Sequence, residues 1–298
     1  MTAQDIGGLI GYNSYGTITK SYATGTVEGM TDVGGLIGYN YESDVSNSYA
    51  KGNVSGFANV GGLIGYNDGY YYSDDADEYF GPLITKTYAT GNVEGMFSVG
   101  GLIGYNDLGN ITNSYATGNV NNDDMYATMS YFDGGLVGYN TGLITNSYAK
   151  GAVNGNTHVG GLVGWNDDMN GPAAISNSYA TGNINGFVPD DAIGAANVGG
   201  LVGYNTGDIE NSYAKGIVEG EYSVGGLVGW NDGWVESSYA TGLVSGFANV
   251  GGLVGWNTVM ITNSYATGNV SGQGIMETED CDGDCYMESS NIGGLVGL

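Results

Sequence analysis

The 298-residue chain has no arginine, five lysines and one histidine. Against 31 acidic residues this leaves a net charge of −26. Such a surface cannot gather the clustered cations that phosphate contacts need, which excludes nucleic acid as a partner. The same deficit excludes docking on anionic lipid. No apolar run approaches the ~18 residues of a membrane span, so membrane insertion is not expected. Met1 is followed by TAQDIGGLIGYN, which has neither the basic nor the apolar region of a secretory leader. The chain therefore reads as one whose leader has been removed, or as a piece of something larger. Only three prolines accompany 58 glycines, which rules out a collagen-like or proline-rich chain. Two cysteines, Cys281 and Cys285, give no disulfide framework. Yet 41% hydrophobic residues and 25 tyrosines are too apolar for a disordered acidic chain, so a core must form.

What fills the sequence is a repeat. The string GGL[IV]G begins at Gly7, Gly34, Gly61, Gly100, Gly134, Gly160, Gly199, Gly225, Gly251 and Gly293. The steps are 27, 27, 39, 34, 26, 39, 26, 26 and 42, a unit of about 26 residues with insertions. A complete unit reads VGGLVGYNxGxITNSYATGNVSG. Its second half recurs nine times, centred on Tyr22, Tyr49, Tyr88, Tyr115, Tyr148, Tyr179, Tyr213, Tyr239 and Tyr265. These units resemble the GLUG-motif repeat, named for its Gly-Leu-any-Gly core, along essentially the whole chain. The resemblance implies a repeat region of a large bacterial or archaeal surface protein, secreted or surface-attached. It implies no catalytic residues; peptidase members of the family would need separate catalytic domains.

The residues lead to the same architecture by themselves. Val, Ile, Tyr and Thr in short runs broken by Gly and Asn favour strands and turns. No segment keeps a 3.6-residue apolar period with caps, so helix should be nearly absent. A 26-residue unit cannot close its own core, whereas stacked units share one. The expectation is all-β: a β-solenoid, parallel β-helix-like, of about nine coils forming one repeat domain over 1–298. Strands 4.8 Å apart would make it roughly 40 Å long. A β-propeller is the lesser rival, because its blades need ~40 residues.

Alternation across a strand assigns the faces. Around each repeated Tyr, position −1 is Ser or Thr87 and +1 is Ala. All five lysines (Lys20, Lys51, Lys86, Lys150, Lys215) fall at −2 or +2, on the Tyr face. Lysine is rarely buried unpaired, so that face is outward and Ser/Ala point in. The nine tyrosines then form an exposed ladder, either stacking on one another or offering an aromatic surface to sugars or partners. In GGL[IV]G[YW]N the constant Leu, as at Leu9, is the core candidate. The next residue, Ile or Val, either lies outward with Tyr12 and its equivalents as an apolar stripe, or is turned inward by a bulge at a glycine. The repeated Asn13, Asn40, Asn67, Asn106, Asn140, Asn166, Asn205, Asn231 and Asn257 suit a corner where stacked amides hydrogen-bond along the axis.

Insertions enter at 68–83 and 167–174, after the YN corner, and at 121–133, 187–197 and 273–291, before the GGL strand. They hold 18 of the 31 acids. Three explanations stand: hydration as in high-salt proteins, plain solvated loops, or Ca²⁺ binding. The leading metal candidate is Asp280, Asp282 and Asp284, with an Asp-x-Asp-x-Asp spacing. Its glycine, Gly283, falls two positions earlier than in an EF-hand loop. Asn291 stands where that loop has Glu. Asp74, Asp75, Asp77 and Glu78 form a weaker cluster. Cys281 and Cys285 lack the further Cys/His ligands of a soft metal site, so a local disulfide is expected. Glycosylation patterns at Asn53, Asn110 and Asn269 occur at chance frequency for such a composition.

A residue repeated nine times in register is a building rule, whereas catalysis needs one distinct constellation. His158, placed in a turn, would have to serve any Ser-His-Asp chemistry alone. Acid pairs for glycoside hydrolysis exist only in the loops, without accompanying cations. The expected function is therefore non-enzymatic: an extracellular or cell-surface stalk or adhesin segment, or a filament subunit. The expected partner is the chain itself, stacked head-to-tail or laterally, with glycans or other surface proteins as further candidates. The alternative is a carbohydrate- or surface-binding module using the aromatic ladder and acidic loops. An ice-binding plane is weaker still, because Lys51, Lys150 and Lys215 break its Thr row.

Overall fold

The computed structural model describes residues 3–69, 81–122, 131–169, 171–186, 197–272 and 291–297. Five short strands make the first coil: β1 (Gln4–Gly7), β2 (Ile10–Ser14), β3 (Ile18–Thr19), β4 (Tyr22–Ala23) and β5 (Val27–Glu28). Each pairs in parallel with its counterpart one repeat later, and the pairing continues through the chain. The result is five parallel sheets, ten strands in the β1 sheet and nine in each of the others, with no helix among the described residues. This is a β-solenoid of about nine coils. Register follows the repeat: Tyr88 lies beside Tyr49 and Tyr115, and Val54 beside Val27 and Val93.

The repeat buries two apolar columns. The larger core joins the Leu and Ile/Val around β2 to the β3 aliphatics and the β4 alanines, as in Leu102, Ile103, Ile111 and Ala116. The smaller core is a double row of valines from β5 and β1, such as Val54 and Val60. Between them the second glycine of every GGL motif but the last meets the alanine of the β4 sheet. A Cβ on Gly62 would lie 2.8 Å from the Ala89 Cβ and 2.2 Å from the Gly101 carbonyl oxygen. Glycine and alanine are therefore required at this waist, where any larger pair would force the coils apart.

Both residues after the glycine pair point inward: Leu63 and Ile64 are fully buried. Of the two alternatives for the Ile/Val position, the bulge is the one that occurs. Gly62 and Leu63 form a bend between the β1 and β2 sheets, so strand alternation restarts at Ile64. The amides of Leu36 and Ile37 both donate to the Leu63 carbonyl, at 2.8 and 3.0 Å. Position −2 from each Tyr is also not a strand residue. It is the corner between β3 and β4, with φ near +50° at Lys20, Asn47, Lys86, Asn113, Asn146, Asn177, Asn211, Ser237 and Asn263. Asn dominates there because it tolerates the left-handed region. The lysines are exposed as expected, but Lys20 and Lys86 get there through a corner rather than through strand alternation. Leu9 departs from its equivalents: it is 49% exposed on the first coil, whereas the repeated leucines of the inner coils are fully buried.

Candidate functional site

Four side-chain columns run along the axis. On β4 the tyrosines stack face to face, with centroids 4.7–5.1 Å apart and planes within 8°. Tyr22 and Tyr265, on the outermost coils, are exposed, and the seven between them are half-buried. Each inner ring thus spends both faces on its neighbours and turns its edge to solvent. Lys51, Lys150 and Lys215 lie over Tyr49, Tyr148 and Tyr213, with Nζ 4.7–5.0 Å from the centroids. Burial, together with neighbouring phenols, raises the Tyr115, Tyr148 and Tyr213 hydroxyls above their ordinary range.

The second column is the Asn of β2. Each Nδ2 donates to the Oδ1 of the next coil at 2.8–2.9 Å, from Asn13 through Asn257 without a break. The inner amides are fully buried, and those of Asn40, Asn106, Asn140, Asn205 and Asn231 also donate to a carbonyl of their own corner. A third column consists of the serines before each Tyr. Ser147 Oγ donates to the Thr145 carbonyl at 2.9 Å and accepts the Ser114 amide at 3.2 Å, and Ser178, Ser212 and Ser238 repeat the pattern. These rows satisfy polar groups that the corners would otherwise bury unpaired.

The fourth column is Tyr12, Tyr39, Tyr66, Tyr105, Tyr139, Trp165, Tyr204, Trp230 and Trp256 on the outer side of β2. It stacks at 4.6–5.1 Å as far as Tyr139. Phenols of Tyr39, Tyr139 and Tyr204 donate to Asp68, Asp167 and Asp232. Burial is the main cause that raises all three hydroxyls, and the adjacent carboxylates add to it; Tyr204 is pushed up to about 12.

Regularity breaks at coils five to seven. Trp165 turns edge-on to Tyr139 and Tyr204, at 69° and 64°. Phe132, His158 and Asn197 occupy consecutive positions of the β1 sheet beside it. The His158 ring stacks on Phe132 at 5.6 Å and on Tyr204 at 5.5 Å, and its Nδ1 lies 3.0 Å from Asn197 Nδ2. Burial lowers its pKa to about 4, so the ring is neutral. Trp165 Nε1 and Asn197 Oδ1 are buried without hydrogen-bond partners. In the valine core, Asp133 takes the place of a valine between Val99 and Val159 and is fully buried. Asn122 donates to both its carboxyl oxygens, at 3.2 and 3.1 Å. Burial pushes the Asp133 pKa up to about 8.

The GLUG motif model matches residues 2–28, 31–55, 97–121, 134–154, 155–185, 194–219 and 248–271, more than half the chain. The chain belongs to the GLUG-motif family. No curated protein and no solved structure matches it. The four columns recur with the repeat along the chain, and the constellation around Phe132, Asp133, His158, Trp165 and Asn197 interrupts them.

Several sequence candidates lie outside the described residues: Asp280, Asp282, Asp284, Cys281 and Cys285, and the weaker cluster Asp74, Asp75, Asp77 and Glu78. Among the described residues no three acids, histidines or cysteines converge as metal ligands. His158 lies in a strand, His158–Gly160, rather than in a turn. Residues counted with the insertions also extend strands: Asn121 closes Val120–Asn121, and Phe132 and Asp133 open Phe132–Gly134. Sequence reasoning missed Asp133 for that reason. The signal was present in FDGGL, where the other units read VGGL or IGGL.

Proposed function

We propose that this GLUG-repeat chain is a non-enzymatic spacer held outside the cell. It serves as a stalk or adhesin segment at a cell surface, or as a subunit of a head-to-tail filament. The observation that carries this reading is the unbroken Asn column. Residues repeated at every coil are committed to holding coils together, which is the requirement of a stiff element. Every amide in the column points the same way along the axis. Further coils, from the same chain or another, would therefore add in one polarity only, a heterologous contact that extends rather than closes. The carbohydrate-binding alternative needs free ring faces, and in the β4 column the inner faces are turned to neighbouring rings.

Electron microscopy of the purified chain at increasing concentration tests the filament form. Fibres with a 4.8 Å axial repeat are expected from head-to-tail stacking. Isolated particles at the highest concentration would refute self-stacking and leave the stalk. Glycan-array binding that disappears in Tyr148→Ser would instead establish the carbohydrate reading.

A further inference from the structure

A cavity of about 510 Å³ runs along the corner between the β5 and β1 sheets in the first three coils. This is the size range of small-molecule sites, ~300–1,000 Å³. Its floor is Gly29, Gly56 and Gly95, one glycine per coil. One wall is Glu28, Ser55 and Glu94, side by side in register. The other is Met30, Phe57 and Met96, also in register: the Phe57 amide donates to the Met30 carbonyl at 2.8 Å, and the Met96 amide to the Phe57 carbonyl at 3.1 Å. Met30 and Phe57 are more than 40% exposed, although methionine and phenylalanine gain most from being covered.

We propose that this groove binds a linear polyamine, an alkyl chain carrying ammonium groups near its two ends. Glu28 and Glu94 flank Ser55, so their backbones stand two strand spacings apart, about 10 Å. Two carboxylates are too few for a calcium ion, which takes about 6–8 oxygen ligands, and among the described residues no third acid converges with them. The separation suits two separate cations joined by a chain. The thioether and aromatic wall runs parallel to the line between the carboxylates and would cover methylenes, which a hydrated inorganic ion does not offer. Phe57, halfway along, presents a ring to the chain and its charge. The five lysines of this protein sit at the β3–β4 corner or beside the β4 tyrosines, so charge complementarity favours a cation from outside. The inference does not depend on the stalk reading.

Calorimetry on the full chain at 0.15 M salt tests it, with spermidine as probe and putrescine as the shorter diamine. Spermidine is expected to saturate one site. Putrescine, which reaches only one carboxylate, should bind roughly tenfold more weakly. Glu28→Gln and Glu94→Gln should each weaken spermidine about fivefold, and Phe57→Ser should narrow the gap between the two amines. Glu219→Gln, on the same sheet four coils further on, should change nothing. All four substitutions are at solvent-accessible positions, and unchanged circular dichroism checks the fold. The proposal is overturned by absence of saturable binding, by full affinity in the Glu28→Gln/Glu94→Gln double variant, or by an equal loss in Glu219→Gln. The last result would mean diffuse attraction to a chain of net charge −26.

Discussion

Asp133 makes stability depend on pH in a way the rest of the valine core does not. An unfolded aspartate titrates near 3.9, whereas burial holds Asp133 up to about 8 in the fold. Between these values the folded chain keeps a proton that the unfolded chain releases. The stability present below about pH 4 is therefore lost progressively as pH rises, and the loss levels off near pH 8. At ~1.4 kcal/mol per pH unit, the cost at pH 7 is about 4 kcal/mol. The informative perturbation is the double variant Asn122→Gly/Asp133→Val. It restores the glycine and valine that most other coils carry at these positions, and removes the Asn122 side chain together with its acceptor; the Asn156 backbone amide, which also bonds Asp133, loses that acceptor, a cost that does not vary with pH. Asp133→Val alone would deprive the Asn122 amide of both carboxyl bonds, although it keeps its 2.9 Å bond to the Met96 carbonyl. Urea unfolding of wild type and double variant, followed by circular dichroism from pH 4.5 to 8.5, gives the difference in stability. Taking the difference cancels the titration of the other acids. The variant should gain on wild type by about 1.4 kcal/mol per pH unit up to pH 8. A difference that stays flat with pH would refute the assignment of Asp133 as a buried, protonated core residue.

Four further outcomes are expected. Leu136→Ala, at a fully buried position, should cost about 2–5 kcal/mol in chemical denaturation. Tyr148→Ser should cost much less, since its ring keeps one edge in solvent; the reverse order would contradict the facing of the two columns. Gly62→Ala should destabilise more than a typical surface substitution, because the new Cβ meets the Gly101 carbonyl oxygen at 2.2 Å; an unchanged melting temperature would count against the waist. If the loop with Asp282 holds Ca²⁺, a chelator should lower the melting temperature and Asp282→Asn should remove part of that effect; no shift would leave hydration as the role of the acids.

The repeat period made the stacking legible, because a 26-residue unit with two apolar stripes has nowhere to bury them except against its neighbours. The inward Ser and Ala around Tyr148 were equally legible, because the pair Tyr148–Ala149 is a true strand and alternates. Alternation failed where the chain is not a strand. It could not decide between faces for Ile64, since Gly62–Leu63 is a bend, and it placed Lys20 and Lys86 on a strand when they occupy a left-handed corner. The glycine pair read as the place for a bulge, and its role as the waist between two cores depends on which alanine comes opposite, a contact that only the coil geometry supplies. The cluster around His158 was illegible for a related reason: Phe132, His158 and Asn197 become neighbours only through the register of the β1 sheet across two insertions.

In-register parallel stacking, coil on coil, is the claim on which the columns and the spacer reading all depend. Engineered disulfides test it most directly, in a chain with Cys281→Ser and Cys285→Ser. Thr145 and Ser176 are register partners with their hydroxyl oxygens 3.2 Å apart. Thr145→Cys/Ser176→Cys should therefore oxidise to a single intramolecular disulfide without loss of the circular dichroism spectrum. Thr112→Cys/Ser176→Cys places the thiols two coils apart, about 10 Å, beyond the ~7 Å Cα limit for bridging, and should stay reduced. Ready closure of the second pair, or failure of the first in a folded chain, would contradict the solenoid register.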